Sequence, residues 1–337
     1  KRTKEDDKVT DLLIACAEKR GAEAEEFLLK IQARYKAMVR RLQVAIDIDA
    51  EFAQITEALA DSSKKDYIIS RGEYLNGKIL AAYLGFTFID AFGSIYLDEE
   101  GKFDEAKTRE VLGGLMAEHP YAVIPGFYGT TPAGAIKTFS RGGSDITGAI
   151  VAAVAGADIY ENWTDVSGLL MADPRIVDHP LSVPVITYKE LRELSYMGAA
   201  VMHEDTIFPV IKLEIPINIR NTNEPENNGT LIVKNADYYQ SNLSISGISG
   251  KTGYTTIVVE KDKLGENPQI RRELLDLFAR RGVTIKNILS GIDALNIIVH
   301  ESDVKDREAE LTAEIEKVIK PNRLAVTHDI AMIAIVG

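Results

Sequence analysis

The spacing of apolar positions divides the chain into a helical beginning and a longer region of alternating strands and helices. In residues 7–59 apolar side chains recur at helical spacing. From there on, short apolar runs alternate with helical patterns, which is typical of an α/β layer architecture. The runs 67–69, 122–124 and 185–187 are predicted to be buried strands that lead into helices, directly or through loops.

The pattern changes again toward the C-terminus. Residues 221–229 are rich in turn-forming residues and predict a loop, and the polar segment 235–246 is the predicted linker. A predicted strand at 254–260 then leads to a helix that begins at Asn267 and Pro268. Asn suits the N-cap position, and Pro suits the first helical position.

The remaining residues complete a repeating order of elements. Two predicted strands flank residues 290–293, a charged helix covers 302–319, and two last strands follow. The order βαββαβ predicts a small ferredoxin-like domain.

Composition and charge narrow the class of protein. With 337 residues, 45% hydrophobic and 27% charged, the chain is expected to fold as one large domain or two. Its net charge of −12 disfavours nonspecific nucleic-acid binding but leaves room for a local basic pocket. The single cysteine, Cys16, excludes an internal disulfide and is expected in the core. No membrane span or signal segment is evident, so a cytoplasmic protein is expected.

The strongest local signal is the segment 140–145, Ser-Arg-Gly-Gly-Ser-Asp, which opens a helical apolar stripe. Glycines let a phosphate approach the backbone, and a helix N-terminus offers free N–H groups. Arg141 supplies a planar fork for a carboxylate or phosphate. A tight turn with an ordinary N-cap fits the same residues, and Arg141 favours the anion site.

A second predicted helix entry is the segment 70–73, Ser-Arg-Gly-Glu, placed after the strand 67–69. Glu73 at the carboxyl end of a strand would suit a substrate ammonium group. A carboxylate in the first helical turn is also favoured by the helix dipole, so a purely structural role stays open.

A third candidate is the segment 163–168, Trp-Thr-Asp-Val-Ser-Gly, followed by Asp-Pro-Arg at 173–175. The Thr-Asp pair could hold a nucleotide's ribose or base, and Arg175 its phosphates, although Asp-Pro commonly marks a turn. The histidines share no metal-ligand spacing, so no zinc site is assigned. The chain has neither a Walker-type loop nor a Rossmann glycine motif that opens a helix.

Together and in this order, the motifs resemble those of aspartate kinases in the amino-acid kinase family. The resemblance extends over nearly the whole chain, through the segments 9–13, 70–73, 125–127, 140–145, 163–168, 172–175, 197–199, 215–217 and 229–231. It implies an α/β fold, a carbamate-kinase-like three-layer sandwich in residues 1–235, followed by a ferredoxin-like ACT regulatory domain in 246–337. It also implies transfer of the ATP γ-phosphoryl group to the side-chain carboxylate of L-aspartate.

The resemblance assigns roles residue by residue. Aspartate would be held by Thr10, Glu73 and Arg141, with Phe127 at the border of the pocket. The transferring phosphoryl group would lie beside Gly142, Gly143, Ser144 and Asp145. ATP would contact Thr164, Asp165 and Arg175, and Leu170 stands where some relatives carry tyrosine. Mg²⁺ would accompany ATP, with no metal held directly by the chain.

Three departures from the family pattern accompany the resemblance. The family's opening Lys-Phe-Gly-Gly-Ser-Ser segment is absent. Because the other pocket residues are all present, a truncated or partly ordered product is expected rather than a noncatalytic copy. Ala200 stands where many relatives carry a lysine near the nucleotide. The chain ends at 330–337, the expected first strand of a second, truncated ACT unit.

The ACT resemblance implies an amino-acid effector and paired subunits. The loop 262–269, including Asn267 and Gln269, and the strand start at Ile285 would form the effector pocket. The same residues could simply cap the helix. L-lysine is the expected effector, although the sequence does not distinguish it from threonine, and a homodimer or homotetramer is expected.

Two alternatives stay open. Another amino-acid kinase would act on glutamate, acetylglutamate or UMP, but such relatives generally lack this combination of motifs. A noncatalytic regulatory subunit would bind an amino acid and control a partner kinase. The missing lysine segment favours that alternative, and the intact segment 141–145 argues against it.

Overall fold

Three helices account for most of residues 9–58, and helices and short strands alternate after them. The computed structural model describes residues 7–19, 21–139, 142–199, 202, 204–236 and 244–337. The α-helices of these residues are α1 (Val9–Glu18), α2 (Ala22–Leu42), α3 (Ile48–Ala58), α4 (Lys65–Leu84), α5 (Glu105–Glu118), α6 (Gly143–Ala155), α7 (Tyr188–Tyr196), α8 (Phe208–Ile211), α9 (Pro268–Arg280), α10 (Glu301–Val304) and α11 (Glu308–Ile319). Short 3₁₀ turns lie at Ser62–Lys64, Glu204–Ile207 and Leu264–Glu266.

The strands are mostly short until the C-terminal region. They are β1 (Thr87–Phe88), β2 (Ala122–Val123), β3 (Tyr128–Thr130), β4 (Ile136–Thr138), β5 (Tyr160–Thr164), β6 (Leu169–Leu170), β7 (Ser182–Val183), β8 (Val185–Thr187), β9 (Ile217–Asn221), β10 (Thr230–Val233), β11 (Gly247–Glu260), β12 (Ile285–Ser290), β13 (Ala294–His300) and β14 (Arg323–Val336). The predicted strands near 122 and 185 and the mixed α/β class are confirmed.

The first four helices share one apolar core. Leu13 of α1, Ile31 of α2, Ile55 of α3 and Leu75 of α4 are each about 1% exposed and belong to the same cluster. Cys16 lies fully buried among them, and burial raises the pKa of its thiol to about 11. The thiol therefore stays protonated and serves as core, as predicted.

One sequence prediction in this region is wrong. Residues 67–69, predicted as a strand, lie in the long helix α4, so Glu73 occupies the middle of a helix rather than its first turn. The buried side chains Ile68, Leu75 and Ile79 follow helical spacing and face the helical core. A three-residue apolar run fits a strand and a helix equally well, and here the longer periodicity decides.

Residues between 160 and 233 contribute a four-stranded sheet in the order β5-β9-β10-β8. Strand β5 runs parallel to β9, with Thr164 beside Asn221, while β10 runs antiparallel to β9 and parallel to β8. Ile217 and Ile219 alternate with polar residues and are almost fully buried. The parallel pair brings the carboxyl ends of β5 and β9 to one edge.

The C-terminal residues form a second sheet in the order β12-β13-β11-β14, with every neighbouring pair antiparallel. Its core joins Ile257 and Val299 of the sheet to Phe278 of α9 and Ile315 of α11, all nearly inaccessible to solvent. The helices follow the first and third strands, so the order βαββαβ and the ferredoxin-like prediction are confirmed.

Two details of that prediction need correction. The expected helix over 302–319 is two helices, because Arg307 turns the chain and its guanidinium donates to the carbonyls of Asp303 and Arg281, each at 2.7 Å. The two expected last strands are one strand, β14, which bends at Asp329 where φ is 56°. Residues 330–336 thus continue this sheet, paired with the start of β11.

The chain divides into two compact units. The first comprises 1–169, 182–191 and 201–241, and the second comprises 170–181, 192–200 and 242–337. Most of the predicted linker, 237–243, lies outside the described residues. The predicted domain limits 1–235 and 246–337 stay a prediction.

Candidate functional site

The start of α6 combines glycine backbone with free amide groups. Gly142 is the N-cap in the left-handed region at φ 57°, and Gly143, Ser144 and Asp145 form the first turn. A helix N-terminus carries unpaired N–H groups and a partial positive charge. The glycine-opened helix predicted from the sequence is confirmed, while Ser140 and Arg141 lie outside the described residues.

The segment before β3 packs directly against this helix start. A Cβ added to Gly143 would lie 2.6 Å from Cδ2 of Phe127, and one added to Gly126 would lie 2.9 Å from Cα of Ser144. Phe127 itself has φ 82°, a conformation that costs a non-glycine residue on the order of 1–3 kcal/mol. Because the backbone of residues 126–127 and the start of α6 approach so closely, only glycine fits at positions 126 and 143.

Thr147 fixes that contact with two hydrogen bonds. Its Oγ1 accepts from the Phe127 amide at 3.1 Å and donates to the carbonyl of Gly143 at 2.9 Å. The side chain is 3% exposed, so both bonds are shielded from water. The structure therefore brings Phe127, Gly143, Ser144 and Asp145 together at the start of α6.

Glu73 lies half-buried in α4, close to the helical core. Burial raises the pKa of its carboxyl above the ordinary value of 4.5. The Tyr35 hydroxyl donates to the carbonyl of the adjacent Gly72 at 2.8 Å, and the Glu73 charge, after burial, contributes to raising the pKa of Tyr35. Since burial is the cause of this shift and no ion pair to Glu73 is found among the described residues, the site favours a positively charged ligand.

Thr10 and Arg71 lie on helices that meet near Glu73. Thr10 is in the first turn of α1, and Val9 and Leu13 of that helix lie 3.3 Å from the position a Cβ of Gly72 would take. Arg71 is 5% exposed, and its guanidinium carbon lies 4.1–5.5 Å from the centres of three tyrosine rings. Those rings belong to Tyr67, Tyr74 and Tyr128.

The carboxyl end of β5 carries the Thr-Asp pair predicted to contact a nucleotide. Thr164 Oγ1 donates to Asp165 Oδ1 at 3.3 Å, and Thr222 donates to the Thr164 carbonyl from its amide and its hydroxyl, at 2.8 and 2.9 Å. Ser167 donates to Glu224 at 2.7 Å, which fastens the following loop. The pair therefore has a fixed backbone at a sheet edge where ligands of α/β folds bind.

The face of β5 opposite to Thr164 carries Trp163 and Glu161, which contact Arg220 of β9. The Arg220 guanidinium lies 4.7 Å from the centre of the Trp163 ring and donates to Glu161 at 3.1 Å. The Trp163 indole N–H donates to the same carboxylate at 3.1 Å. This group braces β5 against β9, just before Thr164.

Sequence reasoning missed two residues of β5, Tyr160 and Asn162. They alternate with Thr164, so all three lie on the face of the strand toward α6. Asn162 Nδ2 donates to Asp145 Oδ1 at 2.9 Å and to the Tyr160 hydroxyl at 3.0 Å. The period-two pattern of β5 was the available signal, but the sequence did not indicate which helix covers that face.

Leu170 and Arg175, the other residues predicted to contact ATP, lie in the second unit. Leu170 is 41% exposed. The exposed Arg175 guanidinium forms three hydrogen bonds with Asp173. These, followed by the bond from the Arg175 amide, lower the pKa of that carboxyl to about 2. The Asp-Pro-Arg segment is thus a turn with a surface ion pair.

The residues predicted to bind an effector have separate local roles. The Asn267 side chain caps α9 by accepting from the amides of Gln269 and Ile270, at 3.1 and 3.3 Å. Ile285, at the start of β12, packs against the core of the second unit. A cavity of about 250 Å³ includes Asp262, the first residue of the predicted effector loop. Its lining residues are Glu260, Lys261, Asp262, Ile292, Asp293, Ala294 and Asn322.

The described residues hold neither a clustered metal site nor a membrane-spanning helix. No group of three or more His, Cys, Asp or Glu side chains among them could hold a metal ion. None of their helices combines the length and the apolar character that crossing a membrane requires.

Comparison with known proteins identifies the family. The model of the amino acid kinase family matches residues 22–221. Aspartokinase 3 of Bacillus subtilis is 33% identical, over 99% of this chain and 77% of that protein. The crystal structure of Clostridium acetobutylicum aspartate kinase is 44% identical with a TM-score of 0.89, over 100% of this chain and 78% of that one.

A more distant structure agrees in fold. The Escherichia coli aspartokinase III complex with aspartate and ADP is 22% identical with a TM-score of 0.70, over 97% of this chain and 78% of that chain. The family-model match and the Bacillus relative indicate an amino acid kinase, and the glycine-opened helix α6 is consistent with one. The chain belongs to the amino acid kinase family and, within that family, to the aspartokinases.

Proposed function

We propose that the site around α6 transfers the γ-phosphoryl group of ATP to the side-chain carboxylate of L-aspartate. A carboxylate oxygen attacks the γ-phosphorus, and the bond between the γ-phosphorus and the β–γ bridging oxygen breaks. ADP departs as the leaving group, and the product is 4-phospho-L-aspartate. The observation that carries the proposal is the glycine-opened start of α6, where Gly142 has φ 57° and the N–H groups of the first turn lack intrahelical partners. Those N–H groups and the partial positive charge of the helix start suit a phosphate.

On the substrate side, the proposal assigns aspartate to Thr10, Glu73, Phe127 and Arg141. The desolvated Glu73 carboxylate suits the ammonium group, since an opposite charge offsets the cost of its burial. Arg141 suits a carboxylate through its planar fork. Phe127, held at positive φ, suits the border of the pocket.

The transferring group is assigned to Gly142, Gly143, Ser144 and Asp145. The acceptor carboxylate is already ionised at neutral pH, so the reaction needs no general base. What it needs is positioning and neutralisation of charge. The N–H groups at the start of α6 supply both, because they are fixed in direction and carry partial positive charge.

The nucleotide is assigned to Thr164 and Asp165 at the end of β5. Mg²⁺ enters as part of the ATP substrate and neutralises phosphate charge. The proposed setting is the cytoplasm, where ATP is available.

Regulation is assigned to the second unit, with L-lysine as effector. The cavity beside β11 is lined by three carboxylates, from Glu260, Asp262 and Asp293, and by one ammonium, from Lys261. That ammonium already donates to the Lys320 carbonyl at 3.2 Å. The excess negative charge favours a cationic amino acid over threonine.

Assembly as a homodimer or homotetramer through the second unit completes the proposal. Ile333 and Ile335 of β14 are 71% and 67% exposed, and Ile248 beside them is 43% exposed. Neighbouring exposed apolar side chains of this kind favour a protein partner.

An acceptor panel tests the proposed function. The purified chain is supplied with Mg-ATP and, in turn, L-aspartate, L-glutamate, acetylglutamate or UMP, and ADP release is followed. We expect ADP formation with L-aspartate and less than about 1% of that rate with the others, because Glu73 and the pocket fix one acceptor. Turnover of another acceptor without aspartate would contradict the proposal. Amino-acid binding with no turnover would instead favour a regulatory subunit.

A further inference from the structure

A polar cluster joins the first turn of α6 to strand β5. Asn162 uses both amide hydrogens, one on Asp145 Oδ1 at 2.9 Å and one on the Tyr160 hydroxyl at 3.0 Å. The Tyr160 hydroxyl in turn donates to the Asp145 carbonyl at 3.3 Å. The three residues therefore form a closed ring of hydrogen bonds.

The backbone makes room for this cluster. A Cβ added to Gly148, one turn further along α6, would lie 2.5 Å from the Tyr160 hydroxyl. Any other residue at 148 would push the Tyr160 ring away from Asp145. The contact between helix and strand is thus built around the cluster.

The chemistry of the cluster fixes its orientation. Rotating the Asn162 amide by 180° would place its oxygen against the Asp145 carboxylate, which is repulsive, so the amide nitrogen faces Asp145. Burial raises the pKa of Tyr160 to about 12, and its hydroxyl therefore keeps its proton at neutral pH. Donors fixed in this way hold a charged acceptor more strongly than neutral pairs do.

The hydrogen bond occupies only one of the two carboxylate oxygens. Among the described residues, Asp145 Oδ1 is the oxygen with a partner, and Oδ2 has none. An anchored Oδ1 restricts rotation of the carboxylate and leaves Oδ2 in a defined direction. The same face of β5 ends at Thr164, so Asn162 stands between the residues assigned to the phosphoryl group and to the nucleotide.

We propose that Asn162 is a positioning residue for phosphoryl transfer, which holds the Asp145 carboxylate through its side-chain amide. The inference rests on the proposed function of Asp145 beside the transferring group. It assigns to Asn162 no contact with substrate. Its effect belongs to the chemical step, since it orients a group whose direction matters in the transition state.

The test compares Asn162→Leu with wild type in steady-state kinetics. The substitution keeps the size of the side chain and removes the donor. We expect kcat to fall about ten- to a hundredfold, while KM for aspartate and for ATP changes less than about threefold. In Asn162→Asp a second carboxylate takes the place of the donor, and kcat should fall at least as far. If the leucine variant does not fold, the aspartate variant is used for the test instead.

A matched control lies on the neighbouring strand. Asn218 of β9 pairs with Glu161 rather than with Asn162, and its side-chain oxygen is buried without a hydrogen-bond partner among the described residues. Asn218→Leu makes the same chemical change away from Asp145. We expect its kcat to stay within about twofold of wild type.

A double-mutant cycle separates positioning from a merely structural effect. In the Asp145→Ala background, Asn162→Leu should change kcat less than about twofold, because the group that it positions is gone. The inference would be overturned if the kcat losses of Asp145→Ala and Asn162→Leu multiplied in the double variant. It would also be overturned by a wild-type kcat in Asn162→Leu, or by an equal loss of kcat in Asn218→Leu. Failure of the proposed function shows differently, as a wild-type chain that does not phosphorylate aspartate.

Discussion

At the scale of single residues, the site is made of side chains and backbone kept in costly states. Glu73 keeps a carboxyl group in a desolvated place, and Phe127 keeps a positive φ. Both cost folding free energy, and each has a use in the proposed site: one favours a cation, and the other brings an aromatic ring against bare backbone. Substitutions that relieve such costs should stabilise the protein and harm its activity.

Glu73→Gln tests this trade-off. Because the folded protein raises the pKa of Glu73, the carboxylate destabilises it above the unfolded value of 4.5. The variant should match wild type in stability at lower pH, where both side chains are neutral, and exceed it as pH rises from 4.5 toward neutrality. KM for aspartate should rise about tenfold or more, because the partner of the ammonium group is lost. Urea unfolding at several pH values and steady-state kinetics measure the two effects.

The exposed Glu57 of α3 provides the matched control. Glu57→Gln should leave KM for aspartate unchanged and the free energy of unfolding within about 0.5 kcal/mol of wild type, since that side chain lies in solvent. If Glu73→Gln is less stable than wild type at neutral pH, or binds aspartate as well, the account of Glu73 is wrong.

At the scale of elements, the sequence predicts structure well where one periodic pattern or one capping signal decides it. The glycine pair at 142–143 predicts the start of α6, and Asn267 with Pro268 predicts the start of α9; both are confirmed. The strand at 67–69 is wrong because a three-residue run carries no period of its own. Its helical neighbours determine the conformation.

The candidate site shows the same limit. Sequence motifs indicate Ser144, Asp145 and Thr164, because glycines and a Thr-Asp pair mark them. They do not indicate Asn162, since its role depends on which helix packs on β5. A contact between residues 17 apart in sequence follows from tertiary packing, and a single sequence carries no direct signal for it.

The cap of α9 gives an element-scale prediction. Asn267→Ala removes the oxygen that accepts from two backbone amides and should lower the free energy of unfolding by about 1 kcal/mol. Asn267→Asp keeps an acceptor at the helix N-terminus and should retain wild-type stability. Urea denaturation followed by circular dichroism measures both. An alanine variant as stable as wild type would contradict the capping role.

At the scale of the whole molecule, the chain combines a kinase fold with a ferredoxin-like unit. It spans about three quarters of the Bacillus and Clostridium relatives, at 77% and 78% of their lengths. The acidic cavity beside β11 belongs to the second unit, whereas α6 belongs to the first. Regulation therefore needs a free-energy coupling between two different sites.

Lysine inhibition tests that coupling. With aspartate and Mg-ATP present, added L-lysine should lower the rate at least about fivefold at saturation, and L-threonine should have little effect. Asp262→Asn should weaken inhibition by lysine without changing the uninhibited kcat, because it removes one negative charge from the cavity. Asp276→Asn, on the exposed face of α9, is the matched control. Inhibition by threonine alone would contradict the lysine assignment.

The most direct test of the central claim identifies the bond that forms. The wild-type chain is incubated with Mg-ATP and L-aspartate, and borohydride is added to reduce the acyl phosphate to an alcohol. Phosphorylation of the side-chain carboxylate predicts homoserine, in an amount that matches the ADP released. Reduction to 3-amino-4-hydroxybutyrate would mean that the main-chain carboxylate is the acceptor. That product, or ADP release with neither alcohol, would contradict the account.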